Sequence, residues 1–185
     1  MSDRAVELVA LVGSLRAASV NRQLAQVAAD NAPAGVNVTV IDNLGSLPFY
    51  SEDIDVEGRL DPAVVALREA VGKADGVLIA TPEYNGSIPA ALKNAIDWLS
   101  RPYGNGALNG TPVAVFSAAL GQYGGQWTRE DTRKSVGVAG GRAIEEADLG
   151  LQIPALPEGG LNHPEIVEKV VASVNRLVAE VAVSA

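Results

Sequence analysis

Val6-Glu7-Leu8-Val9-Ala10-Leu11-Val12-Gly13-Ser14-Leu15-Arg16-Ala17-Ala18-Ser19-Val20-Asn21-Arg22 passes from an apolar run into a polar turn. The run over 6–12 is nearly continuous, as a strand buried on both faces reads, and Gly13 ends it. A helix is expected next, from Ser19 or Asn21 to Ala32, stopped by Pro33 and Gly35. Its apolar positions Leu24, Val27 and Ala28 share one face. Strand, turn and helix in this order form the first half of a parallel crossover unit.

The pattern repeats outward from there. Val36 to Asp42 is β-branched and alternates at first, which fits a less buried outer strand. Asp61-Pro62 marks a helix start, with Asp as N-cap and Pro at the first helical position. Val64, Leu67, Arg68 and Val71 keep helical spacing behind it. Asp75-Gly76 turns the chain into a third strand, Val77 to Ala80, and Pro89 to Leu99 reads as the next helix. A fourth strand, Pro112 to Ser117, precedes glycines 121, 124 and 125 and a helix over Gln126 to Val138. A short fifth strand is expected near Arg142-Ala143-Ile144. The last helix begins near Pro164 and carries Val167, Val170, Val171, Val174, Leu177, Val178 and Val181 on one stripe. Strands separated by helices predict an α/β fold: a flavodoxin-like doubly wound sheet of five parallel strands in the order 2-1-3-4-5, with residues 1–185 as one domain.

Composition narrows the function. The chain has 185 residues, 48 % hydrophobic and 19 % charged, an ordinary globular balance. With no cysteine, disulfides, thiolate catalysis and cysteine-ligated metals are excluded, and a cytoplasmic location is expected. The formal net charge of −8 argues against a nucleic-acid partner, which requires a clustered basic surface. No apolar run approaches a membrane span, and Asp3 and Glu7 do not fit a secretory leader. The single His163, before Pro164, reads as a loop residue at a helix start, so no catalytic residue and no metal site is assigned. Glu52-Asp53, Asp55 and Glu57, and likewise Glu145-Glu146-Asp148, read as solvated acidic loops.

In the order 2-1-3-4-5 the first and third strands are neighbours, so the loops at their carboxyl ends face each other across the crevice where such sheets bind ligands. The first loop offers the hydroxyls of Ser14 and Ser19, the Asn21 amide, the Arg16 charge and the N-terminus of the following helix, a donor set suited to one phosphate monoester. It lacks the second glycine and the Lys-Ser/Thr of a Walker motif, and it lacks the dinucleotide fingerprint. It also reads as a plain strand-to-helix turn with a serine cap. The second loop, Thr81-Pro82-Glu83-Tyr84-Asn85-Gly86-Ser87-Ile88-Pro89, is stiffened by a proline near each end, and Gly86 permits positive φ. Its polar backbone suits the edge of a flat heterocycle, or equally an ordinary Pro/Gly turn. The helix behind it has two stripes, Ile88-Leu92-Ala95-Ile96-Leu99 and Ala91-Ala95-Trp98, which predicts burial on two sides and a subunit interface. Tyr123 and Trp127 fit the core or the pocket wall.

The stretches Gly13–Ala25, Thr81–Pro102 and Pro112–Gly125 resemble the NAD(P)H-dependent FMN reductases, a family with chromate- and quinone-reducing enzymes and azoreductase-like relatives. The resemblance implies FMN as cofactor and NADPH or NADH as co-substrate. A small-molecule electron acceptor (a quinone, flavin, chromate or azo compound) and a homodimer or homotetramer are implied with them. It also implies that Ser14, Arg16, Ser19 and Asn21 hold the FMN phosphate. Pro82, Glu83, Tyr84, Asn85 and Gly86 would line the ring and ribityl region, and Ser117 with nearby glycines would complete the pocket. The chain departs from the family at Thr111, where Lys is common. It departs again at Gln126-Trp127-Thr128-Arg129, where Arg-Ala-Gln and a downstream His are common. These changes bear on nucleotide contacts and acceptor preference. Two other readings remain at this point: a flavodoxin-type electron carrier that binds FMN without NAD(P)H turnover, and a non-redox protein holding another phosphorylated ligand.

Overall fold

The computed structural model describes the backbone of residues 4–184 and the side chains of residues 4–181; Asp3 lies outside them. In chain order the elements are β1 (Val6–Val12), α1 (Val20–Asp30), β2 (Val36–Ile41), α2 (Pro62–Lys73), β3 (Gly76–Ala80) and α3 (Ala90–Leu99). They continue with β4 (Pro112–Ala119), α4 (Gln126–Val138), β5 (Arg142–Ala143), β6 (Leu149–Gln152) and α5 (Pro164–Ser184). The strands form one parallel sheet in the order β2-β1-β3-β4-β5.

Strand periodicity sorts the core into two layers. Leu8, Ala10 and Val12 of β1, Leu78 and Ala80 of β3, and Ala114, Phe116 and Ala118 of β4 pack toward α1 and α5. The alternate positions Val9, Leu11, Val77, Ile79, Val113 and Val115 pack toward α2, α3 and α4. Both faces are covered, which is why the central strands read as unbroken apolar runs. In β2 the burial alternates between intermediate and exposed, as its position at the sheet edge requires.

The fifth position differs from the expectation of one strand. β5 pairs with the start of β4, and β6 pairs with its end, Phe116 to Ala119 against Leu149 to Gln152. A 3-10 turn, Glu145–Ala147, separates the two. At the break, the Val115 N–H donates to the Asp148 carboxylate at 2.8 Å. Asp148 also pairs with Arg133, and its side chain is only 7 % exposed. It is therefore a structural plug rather than part of a solvated acidic loop. Burial holds its carboxyl above the ordinary value, although the Val115 N–H and Arg133 pull the other way.

Trp98 corrects a second expectation. It is buried in the single chain by the segment that follows β2. Its indole N–H donates to the Pro48 carbonyl at 2.8 Å, Tyr50 meets its ring edge-on at 4.9 Å, and the Arg68 guanidinium lies over the ring at 5.4 Å. Arg68 is held in turn by a two-point pair with Asp55 at 2.8 Å. The second stripe of α3 thus has its cover within the chain and does not call for another subunit.

Candidate functional site

The chain leaves β1 toward β2 on one side, while β3 leads to β4 on the other, so the crevice opens above the carboxyl ends of β1 and β3. The two loops approach closely there. Gly13 N–H donates to the Ala80 carbonyl at 2.9 Å. A Cβ on Gly13 would lie 2.6 Å from the Thr81 hydroxyl, so only glycine lets the strand ends meet.

A cavity of about 210 Å³ sits over this point. Its lower wall is Ser14, Arg16, Ser19, Val20 and Asn21; Pro82, Glu83 and Tyr84 face them, and Ala118 to Gly121 close the third side. A larger hollow of about 360 Å³ lies between α3 and α4. It is away from the strand ends and two of its cations are engaged, Lys93 with Asp97 and Arg101 with Tyr50. Of these two, the strand-end cavity has the converging donor set.

Ser14 and Ser19 are both buried. Each hydroxyl oxygen accepts a backbone N–H, Ser14 from Arg16 at 3.4 Å and Ser19 from Arg22 at 3.3 Å. Ser19 is the N-cap of α1. Accepting leaves each O–H free to donate, and both residues line the cavity. Val20 and Asn21, the first two residues of α1, line the same wall, and their N–H groups have no intrahelical acceptors. Arg16 is exposed beside them. Asn21 departs from the sequence reading. Its amide oxygen accepts from Ala118 N–H at 2.8 Å and its amide nitrogen donates to Ala118 C=O at 3.0 Å. The side chain ties α1 to the end of β4, so it shapes the wall rather than offering a free donor pair.

The second loop is a two-residue β-hairpin. Tyr84 and Ser87 exchange backbone hydrogen bonds at 3.2 and 3.1 Å, and both central residues have positive φ: Asn85 at 52° and Gly86 at 72°. This is a type I′ turn, which favours the Asn-Gly pair. It places Asn85 and Gly86 at the tip, outside the cavity lining, and Pro82, Glu83 and Tyr84 on the wall. The hairpin is braced by α4. Glu83 accepts from Thr128 N–H at 3.2 Å, Ser87 donates to Asp131 at 2.6 Å, and Trp127 packs against Gly86.

Ser117 is also placed differently. It is fully buried, its hydroxyl donating to the Gly124 carbonyl at 2.6 Å and accepting from Arg129 at 2.6 Å. It holds the loop between β4 and α4 and does not face the cavity. Burial lowers the Arg129 pKa from its ordinary value. Sequence reasoning missed the role of Arg129 and the α4 brace, because the first depends on how the β4–α4 loop folds back on α4 and the second on contacts 44 and 45 residues apart. His163 accepts from Glu165 N–H at 3.3 Å at the start of α5, far in sequence from these loops. Among the described residues no group of acidic or histidine side chains is arranged to hold a metal ion, and no helix is long and apolar enough to cross a membrane.

Comparisons with known proteins agree with the fold. Residues 6–152 match the NADPH-dependent FMN reductase family. A 2-hydroxy-1,4-benzoquinone reductase from a Burkholderia species is 42 % identical over 120 residues, 65 % of this chain and 64 % of the relative. The quinone reductase of Escherichia coli K12 is 42 % identical over 125 residues, 68 % of this chain and 65 % of the relative. The aligned stretch thus spans less than two thirds of these relatives' own length. Among solved structures, the flavoenzyme NAD(P)H:(acceptor) oxidoreductase of Paracoccus denitrificans superposes with a TM-score of 0.84 at 27 % identity, covering 96 % of this chain and 98 % of that one. With a parallel sheet in the order 2-1-3-4-5 and a match across most of its length, the chain belongs to the NADPH-dependent FMN reductase family.

Proposed function

We propose that the protein is an FMN-dependent oxidoreductase that takes hydride from NADPH or NADH and reduces a small oxidant of the quinone class. The observation that carries this reading is the donor set of the strand-end cavity. Two buried serine hydroxyls with unspent protons, a helix N-terminus and one arginine converge on one wall. Such a set fits a single phosphate dianion. The facing wall of Pro82, Glu83 and Tyr84 adds a rigid backbone edge suited to a flat ring system.

In this reading Ser14, Ser19, Arg16 and the α1 first turn hold the phosphate of FMN. Pro82, Glu83, Tyr84 and the segment Ala118–Gly121 bed the ring. Asn21, Asn85, Gly86 and Ser117 set the shape of those walls. Bound FMN supplies the two-electron chemistry between nicotinamide and acceptor, so the chain needs no acid–base pair of its own. The Glu83 carboxylate is held by the α4 N-terminus, where a negative charge is stabilised, and is kept off the phosphate wall. Leu15, Tyr84, Leu120 and Tyr123 on the loops, and Trp127 in the first turn of α4, are exposed apolar side chains around the mouth. They suit a planar acceptor or a second copy of the chain in a homodimer or homotetramer.

The test is a visible spectrum of the protein reconstituted with FMN and desalted, recorded before and after anaerobic NADPH or NADH, followed by addition of a benzoquinone. Retained flavin that bleaches with nucleotide and recovers with quinone is the expected result. Retained flavin that stays yellow would make the protein a carrier. Failure to bind FMN at any concentration would remove the reading altogether.

A further inference from the structure

The segment that closes the third side of the cavity has little to hold itself. Leu120 and Gly121 are exposed, and Gly124 and Gly125 follow with φ of 55° and 75°. Two successive residues of positive φ form a concave turn that is costly unless something fixes it. Arg129, one turn into α4, supplies the fixation. Its Nη1 donates to the Ser117 hydroxyl at 2.6 Å and to the Gly124 carbonyl at 2.7 Å. The Ser117 hydroxyl donates to the same carbonyl, so three groups close a triangle.

The surroundings are built for this guanidinium. On β6, a Cβ at Gly150 would lie 2.2 Å from Nη1 and 2.6 Å from Cζ. At Gly125, a Cβ would lie 2.7 Å from the Ser117 hydroxyl. A side chain at position 150 would push the guanidinium out of this place, and one at position 125 would press on Ser117. Arg129 thus joins the end of β4, the glycine turn, α4 and β6 at one point, and the cavity wall Ala118–Gly121 lies between two of those anchors.

We propose that Arg129 is a positioning residue for FMN: it fixes the 118–125 wall through Ser117 and Gly124, and Gly150 is the space kept for it. The proposal rests on the FMN reading of the cavity. It assigns Ser117 an indirect role and makes β6, outside the cavity, a determinant of cofactor affinity.

The test uses Arg129→Ala, Gly150→Ala and the double variant, with two readouts. Hydrogen exchange of the protein without FMN reports the wall itself. Fluorescence titration reports FMN affinity. Arg129→Ala and Gly150→Ala are each expected to speed exchange over 118–125. Each is also expected to weaken FMN binding about tenfold or more, the loss expected from breaking charge-assisted bonds. Gly150→Ala should add nothing in the Arg129→Ala background, because no guanidinium remains to be displaced. Low, non-denaturing guanidinium ion should restore part of the FMN affinity of Arg129→Ala and none of that of Gly150→Ala. Unchanged exchange in Arg129→Ala would overturn the proposal, as would additive losses in the double variant. If the unmodified protein binds no FMN, the cofactor reading fails separately, and altered exchange over 118–125 still decides whether the guanidinium holds the wall.

Discussion

Asn21→Ala separates an anchor from a ligand. The substitution deletes two buried hydrogen bonds, 2.8 and 3.0 Å, to the N–H and C=O of Ala118, a residue 2 % exposed. Each lost bond removes about 1 kcal/mol net, and a buried group left without a partner raises that to about 1–3 kcal/mol. The expected loss is about 2–5 kcal/mol in the protein without FMN. For a chain of this size that corresponds to a melting temperature lower by roughly 5–20 °C. Asn21→Asp sharpens the point. Its carboxylate can still accept from Ala118 N–H, but it turns a second oxygen toward the Ala118 carbonyl. At neutral pH this variant should melt no higher than Asn21→Ala. Its carboxyl would carry a raised folded pKa, so its deficit should shrink as pH falls toward that value and the protonated form can donate. Circular dichroism melts of the FMN-free protein, with FMN titrations beside them, make the measurement. An Asn21→Ala variant that keeps its melting temperature and loses FMN affinity would refute the anchor and restore the side chain as a phosphate ligand.

Arg16→Ala should weaken FMN binding about 10- to 100-fold with little change in melting temperature, since Arg16 is exposed and charge-assisted bonds to phosphate are at stake; titration by flavin fluorescence reads it. Gly86→Ala places a Cβ at φ 72° and 3.3 Å from the Trp127 ring, so it should cost about 1–2 kcal/mol in a denaturant melt, more than Asn85→Gly, which suits its φ of 52°. Asp75 is held below the ordinary carboxylate range, first by its hydrogen bond to Arg4 and further by the Glu7 N–H. Its contribution is fully present above the unfolded value of about 3.9 and is lost as pH falls through the lowered folded value. Asp75→Asn should therefore flatten the acid limb of stability against pH below about pH 4, with no change in its shape near neutrality.

The fold was legible wherever local chemistry decides it. The Val6–Val12 run, the Ser19 and Asp61 caps and the start of α4 at Gln126 all stand where their residues predict. β6 was not legible, because Leu149-Gly150-Leu151-Gln152 is too short to show a period and becomes a strand only through the upper half of β4. The site divided in the same way. Ser14, Arg16, Ser19, Pro82, Glu83 and Tyr84 face one cavity because loop order and sheet order place them there. Asn21 and Ser117 have the right chemistry for a ligand, but partners 97 and 7 residues away in sequence consume it. The Ala91-Ala95-Trp98 stripe misled for a related reason. Periodicity reports that a face is covered, and it cannot tell a second subunit from the chain's own Pro48–Asp55 segment.

The divided fifth position has a consequence for the behaviour of the molecule in a crowded solution. A long, flat sheet margin offers a continuous row of unpaired N–H and C=O groups on which a foreign strand can template itself. Here that margin is cut into two pieces of two and four residues by the Glu145–Ala147 turn, and at the break Asp148 turns inward to the Val115 N–H of β4. An incoming strand would find only two residues on β5 and four on β6 to pair with, out of line with each other across the turn. The opposite margin, β2, runs unbroken for six residues. Strand-mediated self-association, including the fibrillar kind, should therefore begin on the β2 side, and a lysine at the outward Asn37 or Thr39 is the change that would suppress it.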